Sequence, residues 1–121
     1  MTRIDRSNQP APDTEQPPGA GGAPNHPRLL LDEYLSLPIR LSIAAALARV
    51  DDAEFGAVRE AIEASDPVLS KQAGILEQAG YISIRKGYVG RRPRTWLSLT
   101  DAGREALNRH LAALHALIAD L

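Results

Sequence analysis

The sequence predicts an α+β domain that is mostly α, and three observations predict it. Apolar residues recur at helical spacing through most of residues 29–121. Two short runs, 81–86 and 95–99, alternate apolar with polar instead, which is the period of a strand. Helix punctuation lies just before them: Pro67 follows Asp66 where a helix can start, and Gly80 stands where it can stop. The chain is 44% hydrophobic but only five of its 121 residues are aromatic, so its core is one of Leu, Ile, Ala and Val.

Residues 1–28 are set apart. They hold six of the nine prolines and the glycine cluster at 19–22, with almost no apolar residues. Such a segment cannot bury enough surface to offset its ordering entropy, so it is expected to be a disordered tail. Its charges cancel, at three basic and three acidic, so it is not expected to act as a basic arm. Residues 29–121 then form one domain.

Within that domain, 29–37 reads as a short first helix carrying Leu30, Leu31, Tyr34 and Leu35, ended by Pro38. Pro38 opens a second helix to about Val50, with Ile39, Ile43, Ala46, Leu47 and Val50 at helical spacing. Asp51 and Asp52 break it. The third helix covers 53–63, with Phe55, Val58 and Ile62 as its apolar stripe, and 64–66 turns into the next. That fourth helix, 67–79, has Asp66 as its expected N-cap. At about 100° per residue, Val68, Leu69, Leu76 and Ile75 face the core. Ser70, Lys71, Gly74, Glu77 and Gln78 face outward, with Gln72 near the boundary.

The two alternating runs form a hairpin. Ile82 and Ile84 share one face of the first strand, and Leu97 and Leu99 share one face of the second. Between them GYVGRRPR makes a long tip bounded by Gly87 and Gly90. Arg85, Lys86, Arg91, Arg92 and Arg94 lie within ten residues with no acid among them, and are expected on one side of the hairpin. A helix pair followed by a basic hairpin is the layout of a winged helix-turn-helix. The second helix of the pair enters the major groove, and the hairpin, or wing, reaches phosphates or the minor groove. Ser70, Lys71 and Gln72 fall near the N-terminal end of that helix, where base edges are reached, and their side chains suit bases or phosphate. Arginines around Pro93 suit a narrow minor groove.

The last helix starts at Thr100, its expected N-cap, and runs to the end. Leu107, Leu111, Leu114, Ile118 and Leu121 are spaced 4, 3, 4 and 3, a heptad seam. A small winged domain has little core left for such a stripe. Part of it is expected to meet a second copy, together with Leu30 and Tyr34, and part to pack on the first helix of the same chain. The terminal helices thus become dimerisation helices, and a two-fold dimer presents two recognition helices to a palindromic site.

Net charge is −1, but its distribution matters more. Residues 29–79 carry four basic and nine acidic side chains, and residues 80–121 carry seven basic and three acidic. The acidic half is expected to face away from DNA. The absence of cysteine excludes thiol catalysis, disulfides and thiolate-bound zinc. No apolar run reaches the roughly 18 residues of a membrane span, and the N-terminus lacks a signal-peptide core. Of the histidines, His26 falls in the tail, while His110 and His115 lie about 140° apart on the last helix, so they share no ligand face. Both are expected as polar positions near the dimer seam. No phosphate loop, nucleophile elbow or metal motif occurs, so an enzyme is not expected and no cofactor is implied.

The run LSKQAGILEQAGYISIRKGYVGRRPRTWLSLTDAGREAL closely resembles the small winged-helix transcriptional regulators grouped with the MarR family. IRLSIAAAL followed by AEFGAVREAI fits the same pattern, so the likeness covers about 29–121. Its most specific parts are Leu69-Ser70-Lys71, residues 76–81, Lys86-Gly87, residues 90–95 and Leu99-Thr100. The resemblance implies a bacterial, cytoplasmic, homodimeric DNA-binding regulator, expected to be a repressor on double-stranded DNA. It carries base-reading roles onto Ser70, Lys71 and Gln72. Backbone or minor-groove roles go to the wing over 85–95, comprising Arg85, Lys86, Arg91, Arg92, Arg94 and Thr95. Many relatives bind an aromatic effector between longer flanking helices; no residue here points to an effector. Two other functions fit the same fold: a winged-helix protein-interaction module, and a non-specific architectural DNA binder. The first predicts partner binding that is insensitive to salt, the second weak binding to every DNA sequence.

Overall fold

Local hydrogen bonding decides where the helices begin, and the first expected helix does not form. The computed structural model describes residues 26–119. The tail expected over 1–28 therefore lies outside the described residues except at its end, as does Leu121 of the seam. The chain enters through a 3-10 helix, Pro27–Leu30, and then runs as a strap of turns to Leu37. The break lies at Leu31, whose backbone is extended at φ −67 and ψ 140. Asp32 then starts a separate turn: its Oδ1 accepts from the N–H groups of Tyr34 and Leu35 at 2.8 and 3.1 Å, as an N-cap does, and Pro38 follows too soon for that turn to lengthen into a helix of its own.

Helix α1 is Pro38–Leu47, shorter than expected. It buries Ile43, Ala44 and Leu47; Val50 lies beyond its end and is exposed. The third expected helix is split. Strand β1, Ala53–Glu54, precedes helix α2, Phe55–Ala61, because Ala53 and Glu54 pair with a strand distant in sequence. Glu63 takes φ +56 in the turn to helix α3, a left-handed conformation that costs a side-chain-bearing residue about 1–2 kcal/mol.

Helix α3 is Asp66–Gln78. Its N-cap is Ser65, not Asp66: the Ser65 hydroxyl accepts from the Val68 N–H at 3.3 Å, and Pro67 sits in the first turn. Asp66 instead meets Arg59 of α2 at 2.8 Å. The buried stripe is Leu69, Ala73 and Leu76, whereas Val68 is left exposed. The helix face is thus rotated toward Ala73 relative to the expected one. Gly80, at φ +83, closes α3: Gly80 N–H donates to the Glu77 carbonyl and Tyr81 N–H to the Leu76 carbonyl, each at 2.9 Å.

Strands β2, Ile82–Val89, and β3, Arg92–Leu99, pair antiparallel along their whole length, and the sheet order is β1-β3-β2. The long tip expected over 87–94 is absent. Gly87 pairs with Arg94, Tyr88 with Pro93 and Val89 with Arg92, leaving only Gly90 and Arg91 as the turn. Gly90 has φ +63, which a two-residue hairpin turn requires at its first position. Gly87 does not end its strand. The Trp96 ring lies over it, 3.1 Å from where a Cβ would be. Pro93 is tolerated because β1 pairs only with Trp96 and Leu97, leaving the outer side of β3 open at that point.

Helix α4, Asp101–Ala119, is capped by Thr100 as expected, whose Oγ1 accepts from Gly103 N–H at 3.0 Å and donates to the Gly80 carbonyl at 2.6 Å. Gly103 allows that approach, since a Cβ there would lie 2.0 Å from the Tyr81 carbonyl oxygen. The seam divides. Leu107 joins the core, Leu114 is half-buried, and Leu111 and Ile118 are exposed. His110 is not a rim position: it is buried at 2% exposure, and its Nδ1 accepts from the Asp32 N–H at 3.0 Å. His115 is exposed. Asp32 also accepts from the Tyr81 hydroxyl, and the Tyr34 and Tyr81 rings meet edge to face at 5.7 Å. Burial, followed by the Asp32 hydrogen bond and its charge, pushes the Tyr81 hydroxyl up to about 12.

Candidate nucleic-acid interface

Helix α3 and the wing flank one open cleft of about 560 Å³. Ser70, Ala73, Gly74 and Glu77 line it from the helix, Ile84 and Lys86 from β2, Thr95 and Leu97 from β3, and Phe55 from α2. The register explains this lining. Directly paired residues share a sheet face, so Lys86 and Thr95 stand on the same face as the core pair Ile84 and Leu97. They lie just beyond the core, where that face emerges beside α3.

The opposite face carries the pairs Arg85–Trp96, Gly87–Arg94 and Val89–Arg92. The five basic side chains therefore do not share one side of the hairpin. Arg85, Arg92 and Arg94 belong to one face, Lys86 to the other, and Arg91 to the turn. Strand alternation imposes the split once the hairpin is paired to its tip.

Their surroundings differ as much as their directions. The Arg85 guanidinium lies over the Trp96 ring, 4.5 Å from its centroid, and Nη2 meets Asp52 Oδ2 at 3.2 Å. Arg94 Nε meets Glu54 Oε1 at 3.0 Å. The acidic half of the chain thus sends two carboxylates to the base of the wing instead of facing wholly away from it. Lys71, Lys86, Arg91 and Arg92 are exposed and form no ion pair among the described residues. They are the cations open to a phosphate.

On α3, Ser70 and Lys71 are exposed and Gln72 is half-buried. Gln72 Oε1 accepts from Arg40 Nη1 at 3.0 Å, and Arg40 Nε donates to the Tyr34 carbonyl at 2.6 Å. Neither Arg40 nor Trp96 stands out in the sequence, because each matters through a partner more than ten residues away. No group of three or more His, Asp or Glu among the described residues is arranged to hold a metal ion. No helix among them is long and apolar enough to cross a membrane.

Residues 39–118 match the model of a family described as a winged helix DNA-binding domain. Comparison with curated proteins yields no match. Among solved structures, a transcriptional regulator homologue from Pyrococcus horikoshii is 28% identical with a TM-score of 0.70, over 77% of this chain and 92% of that one. The transcriptional repressor BigR from Xylella fastidiosa is 26% identical with a TM-score of 0.55, over 66% of this chain and 74% of that one. The PcaV transcriptional regulator from Streptomyces coelicolor, solved with its natural ligand, shares the fold at 18% identity and a TM-score of 0.61, over 78% of this chain and 68% of that one. All three are named as transcriptional regulators or a repressor, in line with the regulator family that the sequence resembles.

Proposed function

The chain belongs to the winged helix DNA-binding domain family, and from that premise we propose how this DNA-binding transcriptional regulator engages its operator. It acts in the cytoplasm as a homodimeric repressor. Helix α3 enters the major groove, where Ser70, Lys71 and Gln72 meet base edges and nearby phosphates. The wing follows the adjacent backbone or minor groove, with Arg91 and Arg92 as its leading charges and Lys86 and Thr95 beside α3.

The observation that carries this reading is the shared cleft. Ser70, Gly74 and Glu77 of α3 and the Lys86–Thr95 face of the wing border the same opening, so one duplex can meet both, with Lys71 and Gln72 on α3 outside the cleft itself. The dimer reading rests on the exposed apolar residues of the chain ends, Leu29 and Leu30 at one and Leu111 and Ile118 at the other. Tyr34, Leu107 and Leu114 lie further in, so they serve the packing beneath that surface.

The test is binding to labelled genomic fragments, the protein's own promoter among them, across a salt series with non-specific competitor. A protected palindrome that survives competitor is the expected result. Weak binding to every fragment favours an architectural binder, and no binding at low salt contradicts the DNA role.

A further inference from the structure

Gln72 occupies the α3 position between exposed Lys71 and buried Ala73. Its amide is not free to turn. A guanidinium carries hydrogen-bond donors only, so the atom facing Arg40 is the amide oxygen, and chemistry fixes which end of the glutamine is which. Arg40 is itself anchored, with Nε on the Tyr34 carbonyl, and the Tyr34 ring is braced against Tyr81. Nε2 of Gln72 has no hydrogen-bond partner among the described residues.

We propose that Arg40, on α1, is a positioning residue for base readout, which presents Gln72 to DNA as a hydrogen-bond donor. The proposal rests on the reading that α3 enters the major groove. A free glutamine reads adenine with both ends, accepting from N6 and donating to N7. The Gln72 oxygen already holds a charge-assisted bond, and giving it to adenine N6 means weakening that bond. The remaining amide donors suit the two acceptors of guanine (O6 and N7) or the O4 of thymine; adenine offers them N7 but sets its own N6 donor beside it, where the Gln72 oxygen is no longer free to accept. Cytosine offers a donor, N4, and is rejected. Arg40 thus narrows what Gln72 recognises without touching the base.

The test uses the full chain. A random DNA library is enriched for bound sites, and the enriched site is then scanned base by base. Wild type is compared with Gln72→Ala, Arg40→Met, Arg40→Lys and the Arg40→Met/Gln72→Ala double variant. Wild type is expected to prefer guanine or thymine at one position of each half-site. Gln72→Ala lowers that preference about fivefold, the value of one hydrogen bond. Arg40→Met lowers it similarly at the same position by admitting adenine, and the double variant loses no more than either single one. Arg40→Lys, which keeps a donor near Gln72, retains more of the preference than Arg40→Met.

If Gln72→Ala erases the preference and Arg40→Met leaves it, the positioning role is overturned and the groove reading stands. If Gln72→Ala changes nothing, or no site is enriched, the reading of Gln72 as a base contact falls and the proposal with it. A uniform loss of affinity in Arg40→Met, with its base profile unchanged, makes Arg40 a phosphate contact and also overturns the proposal. Should Arg40→Met fail to fold, Gln72→Glu replaces it. Its second oxygen then faces the base and the preference moves to cytosine or adenine; an unmoved preference overturns the proposal.

Discussion

The arginines at the tip of the wing and those at its base are one residue type on one hairpin in two different states. Arg91 and Arg92, at the turn, are exposed and unpaired among the described residues. Arg85 and Arg94, nearer the core, are tied to Asp52 and Glu54, and Arg85 also lies over Trp96. Surface pairs of this kind contribute at most about 1 kcal/mol each. Their larger consequence is for binding, because a cation already neutralised releases fewer DNA counterions. Counting positive charge along the sequence therefore overstates what the wing offers a phosphate.

The comparison can be pressed at several points. Replacing both tip residues (Arg91→Gln with Arg92→Gln) is expected to lower DNA affinity on the order of a hundredfold near physiological salt, measured by fluorescence anisotropy. Replacing both base residues (Arg85→Gln with Arg94→Gln) is expected to cost less than about tenfold. Freeing the base pair instead, with Asp52→Asn and Glu54→Gln, is expected to raise affinity for non-specific DNA about threefold and to steepen its salt dependence. Unchanged affinity in that variant would mean that the two carboxylates do not restrain the wing.

Two smaller tests separate the wing from the rest of the fold. Gly87→Ala pushes a methyl group against the Trp96 ring and is expected to lower unfolding free energy by about 1 kcal/mol, seen in urea denaturation. Tyr81, whose ring meets Tyr34, has an alkaline signature. The unfolded phenol ionises near 10 and the folded one at about 12. The folded state therefore holds its proton longer, and the contribution is complete below pH 10 and lost as pH rises from 10 to 12. Melting temperature is expected to fall across that window, and Tyr81→Phe to flatten the fall.

Much of this fold is legible from the sequence because it is local. Pro38, Pro67, Gly80 and Thr100 mark helix boundaries through bonds or sterics within a few residues, and the structure keeps all four near helix ends. The failures involve distant partners. The helix expected over 29–37 is interrupted at the extended Leu31, next to Asp32, which His110 and Tyr81 tie to the rest of the fold. Residues 53 and 54 leave their helix for a pairing with β3. Gly87 looks like a strand end until Trp96 covers it. The interface divides the same way. Ser70 and Lys71 are exposed as helical phase requires, but the sorting of the wing cations needs the hairpin register and two acids from another part of the chain.

The most direct test of this account is the salt dependence of DNA binding for the tip and base variants side by side. For a dimer with both wings engaged, loss of the tip pair removes four phosphate contacts, and the slope of log affinity against log salt is expected to shallow by about 3–4. Loss of the base pair is expected to change it by about 1 or less. Equal slopes for the two variants, or a larger change at the base, would contradict the assignment of phosphate contact to the tip.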